Sequence, residues 1–173
     1  MVNIGLLEKS IPVAPIKIAA LNSCADLAKQ VDAHLVQFRQ ELDSHNQSGL
    51  NFRGYAEDTF LLDCQCPRFG SGEAKGMIHE SVRGTDLFIM VDVCNHSLTY
   101  KMGGYVNHMS PDDHYQDLKR IIAAVGGKAR RITVILPFLY ESRQHRRTAR
   151  ESLDCPLALQ ELYNMGIDNI ITF

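Results

Sequence analysis

Short apolar runs alternate with amphipathic stretches along most of this chain, and the alternation predicts strands and helices in turn. Residues 16–21 (IKIAAL) read as a first strand, after an irregular arm at 1–15 that holds Pro12 and Pro15. Leu27, Val31, Leu35, Phe38 and Leu42 follow at spacings of four, four, three and four, which places them on one face of a helix. Ser23 is its expected N-cap, with Asp26 in the first turn, where a carboxylate suits the helix dipole. From 43 to 58 the chain turns polar and reads as an exposed excursion.

Residues 59–66 (TFLLDCQC) predict a second strand. Three glycines between 68 and 76 then predict a tight turn or hairpin. Residues 87–93 (LFIMVDV) are apolar on both faces, as a central parallel strand should be. Residues 94–109 read as a surface loop, with His96 and His108 as solvent-facing side chains and not metal ligands. Ser110-Pro111-Asp112-Asp113 is a helix start, Tyr115, Leu118, Ile121, Ile122 and Val125 form its buried face, and Gly126-Gly127 end it. Residues 132–136 form a fourth strand, closed by Pro137. Asp154 and Pro156 predict the cap of a helix through Leu157, Leu162 and Met165 that stops at Gly166, and a further strand starts at Ile170. Such alternation implies an α/β fold of three layers, with a mostly parallel sheet, helices on both faces and one added hairpin.

Composition narrows the function classes. A chain of 173 residues with 45% hydrophobic residues and net charge −2 gives a single domain with no general affinity for nucleic acid. No apolar run approaches the roughly 20 residues of a membrane span, and a cytoplasmic location is expected. Five cysteines, an odd number, read as reduced thiols, with Cys24, Cys94 and Cys155 expected to be buried. The Cys64-x-Cys66 spacing lacks the usual two-residue spacer of a zinc knuckle, and no metal site is expected. The chemistry concentrates after the fourth strand, where Arg143, Arg146, Arg147 and Arg150 surround Gln144 and His145. Guanidiniums at the carboxyl end of a parallel strand suit a polyanion such as a phosphate chain, although the same residues also fit a solvated basic face.

Two stretches resemble ribose-phosphate pyrophosphokinases. Phe69-Gly70-Ser71-Gly72-Glu73, followed by Glu80-Ser81-Val82-Arg83-Gly84-Thr85-Asp86, is similar to that family's F-x-D-G-E … E-S-V-R-G-x-D-V-F. Ala129-Arg130-Arg131-Ile132-Thr133 running to Pro137 and Arg143-Gln144 resembles A-R-R-I-T … P-Y-x-x-Y-x-R-Q-D-R-K. The resemblance implies a type I phosphoribosyltransferase-like fold, with 1–173 as the N-terminal domain of a longer two-domain protein. It further implies transfer of diphosphate from MgATP to ribose 5-phosphate, giving phosphoribosyl diphosphate, in a homo-oligomer whose hairpin enters a neighbouring subunit's site. The residues so implied to bind ATP are Phe69, Ser71 and Glu73 at the base and Arg143, Gln144, Arg146 and Arg147 along the phosphates.

No catalytic or metal-binding residue is implied within 1–173, because the family's magnesium-binding Asp-x-His would begin just after Phe173 and its pentose-phosphate loop lies further on. The isolated chain is therefore expected to be inactive. Departures from the pattern are Ser71 in place of Asp or Asn, His145 in place of Asp, and Glu141 at the tyrosine position with Tyr140 one place early. Residues 44–58 and 95–109 are also longer than the family leads one to expect. These departures keep open a second reading, a non-catalytic regulatory or scaffold relative. A lone phosphoribosyltransferase fits less well, since no paired acidic residues lie in an apolar strand-to-loop motif to hold ribose hydroxyls.

Overall fold

The computed structural model describes residues 12–45 and 54–173; most of the arm expected at 1–15, and residues 46–53 of the excursion expected at 43–58, lie outside them. Five parallel strands form the central sheet: β1 (Ile16–Ala20), β2 (Leu61–Leu62), β5 (Asp86–Met90), β8 (Arg131–Leu136) and β9 (Asn169–Thr172), in the order β2-β1-β5-β8-β9. One face carries α1 (Ala25–His45), whose Ala28 packs with the preceding Cys24 on Ile18, Phe60 and Met90. The other carries α2 (Pro111–Val125) and α3 (Asp154–Asn164), which bury Leu118, Ile121, Ala158 and Leu162 against Leu87, Ile89, Val134 and Leu136. Odd and even residues of each central strand thus feed different cores, which is why 87–90 could be apolar throughout. No helix among the described residues is long and apolar enough to cross a membrane.

The sheet is the predicted one, but several elements differ in detail. Ser23 does not cap α1. It lies in a single 3-10 turn (Asn22–Cys24), and its hydroxyl accepts from the Asp92 amide at 3.1 Å. The expected stripe on α1 is also rotated: Leu27 is exposed, Val31 and Leu35 are half-buried, and Ala28 has no exposed surface. Asp32 explains the rotation. Its carboxylate turns inward to accept from the Thr59 hydroxyl (2.8 Å) and the Phe60 amide (2.7 Å), pinning the entry to β2.

The strand expected at 59–66 breaks at Asp63. β2 joins the main sheet, whereas β3 (Cys64–Gln65) leaves it to pair antiparallel with β4 (Met77–Ile78). This makes the hairpin foreseen around 68–76. Residues 94–109 are not simply a loop: β6 (Thr99–Met102) and β7 (Tyr105–His108) form a second hairpin turning at Gly103-Gly104, with φ of 58° and 88°. Two glycines with positive φ between strand-forming runs suit a tight primed turn.

Of the two later helices, α2 starts as expected, with a capping box between Ser110 and Asp113, and ends on Gly126 in the left-handed region. At α3 neither Asp154 nor Pro156 acts as the cap. Leu153 occupies that position without a side-chain bond, while the Asp154 carboxylate accepts from the Ser152 hydroxyl at 2.6 Å. Leu157 faces solvent. Cys24 and Cys155 are buried, but Cys94 is exposed.

Candidate functional site

Strand order reverses between β1 and β5, and the carboxyl ends of the strands there are where open α/β sheets place ligands. The first hairpin, the second hairpin and the basic segment after β8 project from this region. The first is tied at its tip by Phe69 N to Glu73 O (2.7 Å) and Gly72 N to Phe69 O (2.9 Å), with Arg68 and Ala74 bridged below. The turn leaves Phe69 51% exposed, an unusual position for a phenylalanine. Ser71 and Glu73 are exposed beside it, and the Ser71 hydroxyl donates to Glu73 Oε2 at 2.9 Å.

Beneath the tip, Arg68 is largely buried. Its Nη2 lies 3.0 Å from Asp117 Oδ2, and its Nη1 lies 3.6 Å from Asp113 Oδ1 and donates to the Gly72 carbonyl at 3.2 Å. Arg120 takes the other Asp117 oxygen at 2.5 Å. Burial still holds the Asp117 carboxyl above the ordinary carboxylate range, opposed by its hydrogen bond to Arg120 and by the charge of Arg68. Gly76 lets the hairpin lie directly on α2: a Cβ there would sit 2.3 Å from the Arg120 carbonyl oxygen.

The basic segment begins where β8 ends. Tyr140 stacks on Tyr115 of α2, and the chain turns at Glu141, the one non-glycine residue with positive φ (56°) among the described residues. Gln144 N donates to the Glu141 carbonyl at 2.8 Å, and its side-chain amide donates to Ser152 O at 2.8 Å, so that amide anchors the loop to the start of α3. His145 Nδ1 lies 2.8 Å from Ser142 O. Arg143, Arg146, Arg147 and Arg150 are all exposed and make no ion pair among the described residues.

Only Arg143 among these four lines a groove of about 280 Å³ at the ends of β5 and β8, together with Cys94, His96, Phe138, Tyr140 and Glu141. Burial and Asp92 raise the Cys94 thiol, and the Arg143 charge opposes them. A cleft with one cation and an aromatic wall can take part of an anionic ligand, being somewhat below the roughly 300–1,000 Å³ of small-molecule sites.

The structure therefore groups Phe69, Ser71 and Glu73 in one exposed tip and Arg143, Gln144, Arg146 and Arg147 in one loop. No hydrogen bond or ion pair among the described residues joins the two groups. No three His, Cys, Asp or Glu side chains among those residues converge on a cation site. Arg68, Asp117 and the second hairpin escaped the sequence reading. The Thr-Tyr-Lys-Met-Gly-Gly-Tyr-Val run around 99–106 held the signal for the hairpin.

Comparison with known proteins agrees with this fold. Residues 16–166 match the family described as the N-terminal domain of ribose phosphate pyrophosphokinase. A ribose-phosphate pyrophosphokinase of Vibrio parahaemolyticus is 30% identical over 115 residues, covering 65% of this chain and 32% of the relative. The enzyme of the same name from Parasynechococcus marenigrum is 31% identical over 108 residues, covering 61% and 28%. The chain thus matches about a third of the length of these relatives. Its fold is similar to the crystal structure of phosphoribosylpyrophosphate synthetase from Mycobacterium smegmatis, with a TM-score of 0.63, 24% identity, and coverage of 91% of this chain and 41% of that one.

Proposed function

This chain belongs to the ribose-phosphate pyrophosphokinase family through the N-terminal domain of that enzyme, and on this premise we propose that it supplies the nucleotide-binding half of a ribose-phosphate diphosphokinase. In the full-length protein, the anomeric oxygen of ribose 5-phosphate bonds to the β-phosphorus of MgATP. The bond from that phosphorus to the oxygen bridging the α-phosphate breaks, AMP leaves with that oxygen, and the hydroxyl proton passes to solvent.

The observation that carries this reading is the set of exposed arginines following β8, which have no carboxylate partner among the described residues. Guanidiniums without a carboxylate partner are free to meet a triphosphate, and they stabilise the charge that builds on the departing α-phosphate. Arg143 takes the phosphates nearest the groove, with Arg146 and Arg147 further along the chain of oxygens. Gln144, tied to Ser152, sets the loop's direction. Phe69 stacks on adenine, with Glu73 accepting from its exocyclic amine, in the site of a neighbouring subunit of a homo-oligomer. Magnesium enters with ATP as substrate. The family's magnesium histidine falls just after residue 173 and its pentose-phosphate loop further on, so residues 1–173 alone are expected to form no product.

One observation favours the non-catalytic reading: Ser71 replaces an acidic or amide residue and donates to Glu73 Oε2, so the residue at that position contacts its neighbour in the tip. Assay of the full-length protein for AMP from ATP and ribose 5-phosphate separates the two. The expected result is product formation, with Phe69→Ala raising KM for ATP at least about tenfold, a stacking loss of roughly 1.4 kcal/mol. Absence of AMP from the full-length protein would sink the enzymatic reading, and AMP from residues 1–173 alone would sink the division of labour.

A further inference from the structure

The second hairpin's contacts point inward, to the first. Gly103 N, in its turn, donates to Gly70 O in the other turn at 3.0 Å. Gly72 (φ 91°) packs so closely that a Cβ would lie 2.8 Å from Met102 Sδ and 3.5 Å from the Tyr100 ring. At the base, the Arg68 guanidinium sits 4.8 Å from the centre of that same ring while Asp117 and the Gly72 carbonyl hold its nitrogens. Behind these contacts lies a cavity of about 130 Å³ lined by Cys64, Cys66, Tyr100, His114 and Asp117, so the two hairpins enclose a joint with a polar floor.

The consequence is a division between backbone and side chains. The backbone of 69–73 is bonded within its own turn and against Gly103, yet the side chains of Phe69, Ser71 and Glu73 remain exposed. A five-residue tip on a single bridge would otherwise fluctuate, and any ligand would have to order it on binding. From this we propose that the β6–β7 hairpin, through Tyr100, Met102 and Gly103, is a brace that holds the Phe69–Glu73 tip in its base-binding shape. The brace thereby sets both affinity for ATP and preference for its base. Tyr100 and Arg68 are positioning residues: they touch the tip, and the tip touches the base. The inference rests on the reading of Phe69 and Glu73 as adenine contacts.

Calorimetric titration of the full-length protein with ATP, GTP and inorganic tripolyphosphate tests it, alongside hydrogen exchange at the amides of 69–73. The primary variant is Tyr100→Ala/Met102→Ala, which leaves the glycine turn and the Arg68–Asp117 pair in place. It is expected to weaken ATP about tenfold, the scale of a few side chains ordered only on binding. Tripolyphosphate affinity should stay within about twofold, the GTP-to-ATP ratio of dissociation constants should fall toward one, and exchange at 69–73 should quicken. Arg68→Lys should recover more ATP affinity than Arg68→Met, because charge toward Asp117 is kept.

Equal weakening of ATP and tripolyphosphate would overturn the proposal, since a general loss of structure does the same. Unchanged ATP affinity with faster exchange would also overturn it. Phe69→Ala is the separating control. If it weakens ATP and the brace variant does not, the brace alone fails; if Phe69→Ala has no effect, the base-contact reading beneath it falls as well.

Discussion

The ring of Tyr140 lies flat on that of Tyr115, centroids 4.1 Å apart and planes 7° from parallel, with Tyr140 OH donating to Asp112 at 2.7 Å and Tyr115 OH donating to the Ala158 carbonyl at 2.8 Å. One stack joins the loop after β8 to α2 and α3, three residues before Arg143. Tyr140→Ala is expected to cost about 2–3 kcal/mol, from the aromatic pair and a hydrogen bond together. Tyr140→Phe, which loses only the bond to Asp112, should cost about 1 kcal/mol. Urea unfolding of the two variants checks the order, and equal small effects would mean that the stack does not anchor the loop.

Arg143 and Arg150 are both exposed and have no ion pair among the described residues, but only Arg143 lines the groove at the end of β8. In the full-length protein Arg143→Ala should lower diphosphoryl transfer by roughly ten- to a hundredfold, the effect of losing a charge-assisted bond of about 1.5–3 kcal/mol. Arg150→Ala should change it by no more than about twofold. Melting temperatures of both should match the parent, because neither side chain packs in a core. Similar small losses at both positions would reduce the segment to a solvated face.

One buried and two half-buried thiols give stability a pH dependence on the alkaline side. Burial, then nearby carboxylates, pushes Cys66 up to about 12 and Cys24 and Cys64 up to about 11, from an ordinary 9.0. Burial also raises Tyr115 and Tyr140. Between these values and 9.0 the folded chain keeps protons that the unfolded chain has released. Their contribution is therefore whole below about pH 9 and is lost as pH rises toward 11 and 12. Denaturant midpoints from pH 8 to 11 should fall steadily, and less steeply in Cys66→Ala. A flat profile would contradict the assignment. Cys94, the exposed thiol, should react first with a disulfide reagent at pH 8.

Gly76 and Gly70 form a matched pair for testing how the first hairpin is seated. A Cβ at 76 would meet Arg120 O at 2.3 Å and Ile121 N at 3.0 Å, backbone of α2 that cannot step aside, whereas a Cβ at 70 meets nothing within 4 Å. Gly76→Ala should destabilise by about 1–3 kcal/mol or more. Gly70→Ala should be neutral or stabilise by up to about 1 kcal/mol through the unfolded chain. Thermal melts of the two variants suffice, and comparable stability would show that the hairpin can lift from the helix at no cost.

What could be read in advance followed from local chemistry. The Ser110 capping box, the apolar run of β5 and the glycine-rich turn at 70–72 are each specified by residues within one turn of one another, and each is where the pattern put it. The rotation of α1 was not legible, because it depends on Asp32 finding Thr59 and Phe60 across a polar excursion. The seat of the hairpin was hidden for the same reason: Arg68 meets Asp117 through the packing of α2, and nothing near Arg68 announces it. At the candidate site, residue types pointed to an anion-binding loop. That Gln144 is tied to Ser152, while Arg143 alone enters the groove, is a matter of tertiary geometry.

The main sheet has a kinetic consequence. Every pairing in it is long-range: Ile16 meets Asp86, Ile18 meets Leu61, Asp86 meets Arg131 and Thr133 meets Asn169. Both hairpins, the parts able to form within microseconds, lie outside it and cannot template it. Each parallel pair must close a loop of about 35–70 residues before its first ladder bond repays the lost entropy. Refolding should therefore be slow beside that of a helical bundle of this length, and for that interval β1, β5 and β8 carry open edges that any second chain can occupy. Recovery from denaturant should fall with protein concentration even where the folded state is amply stable.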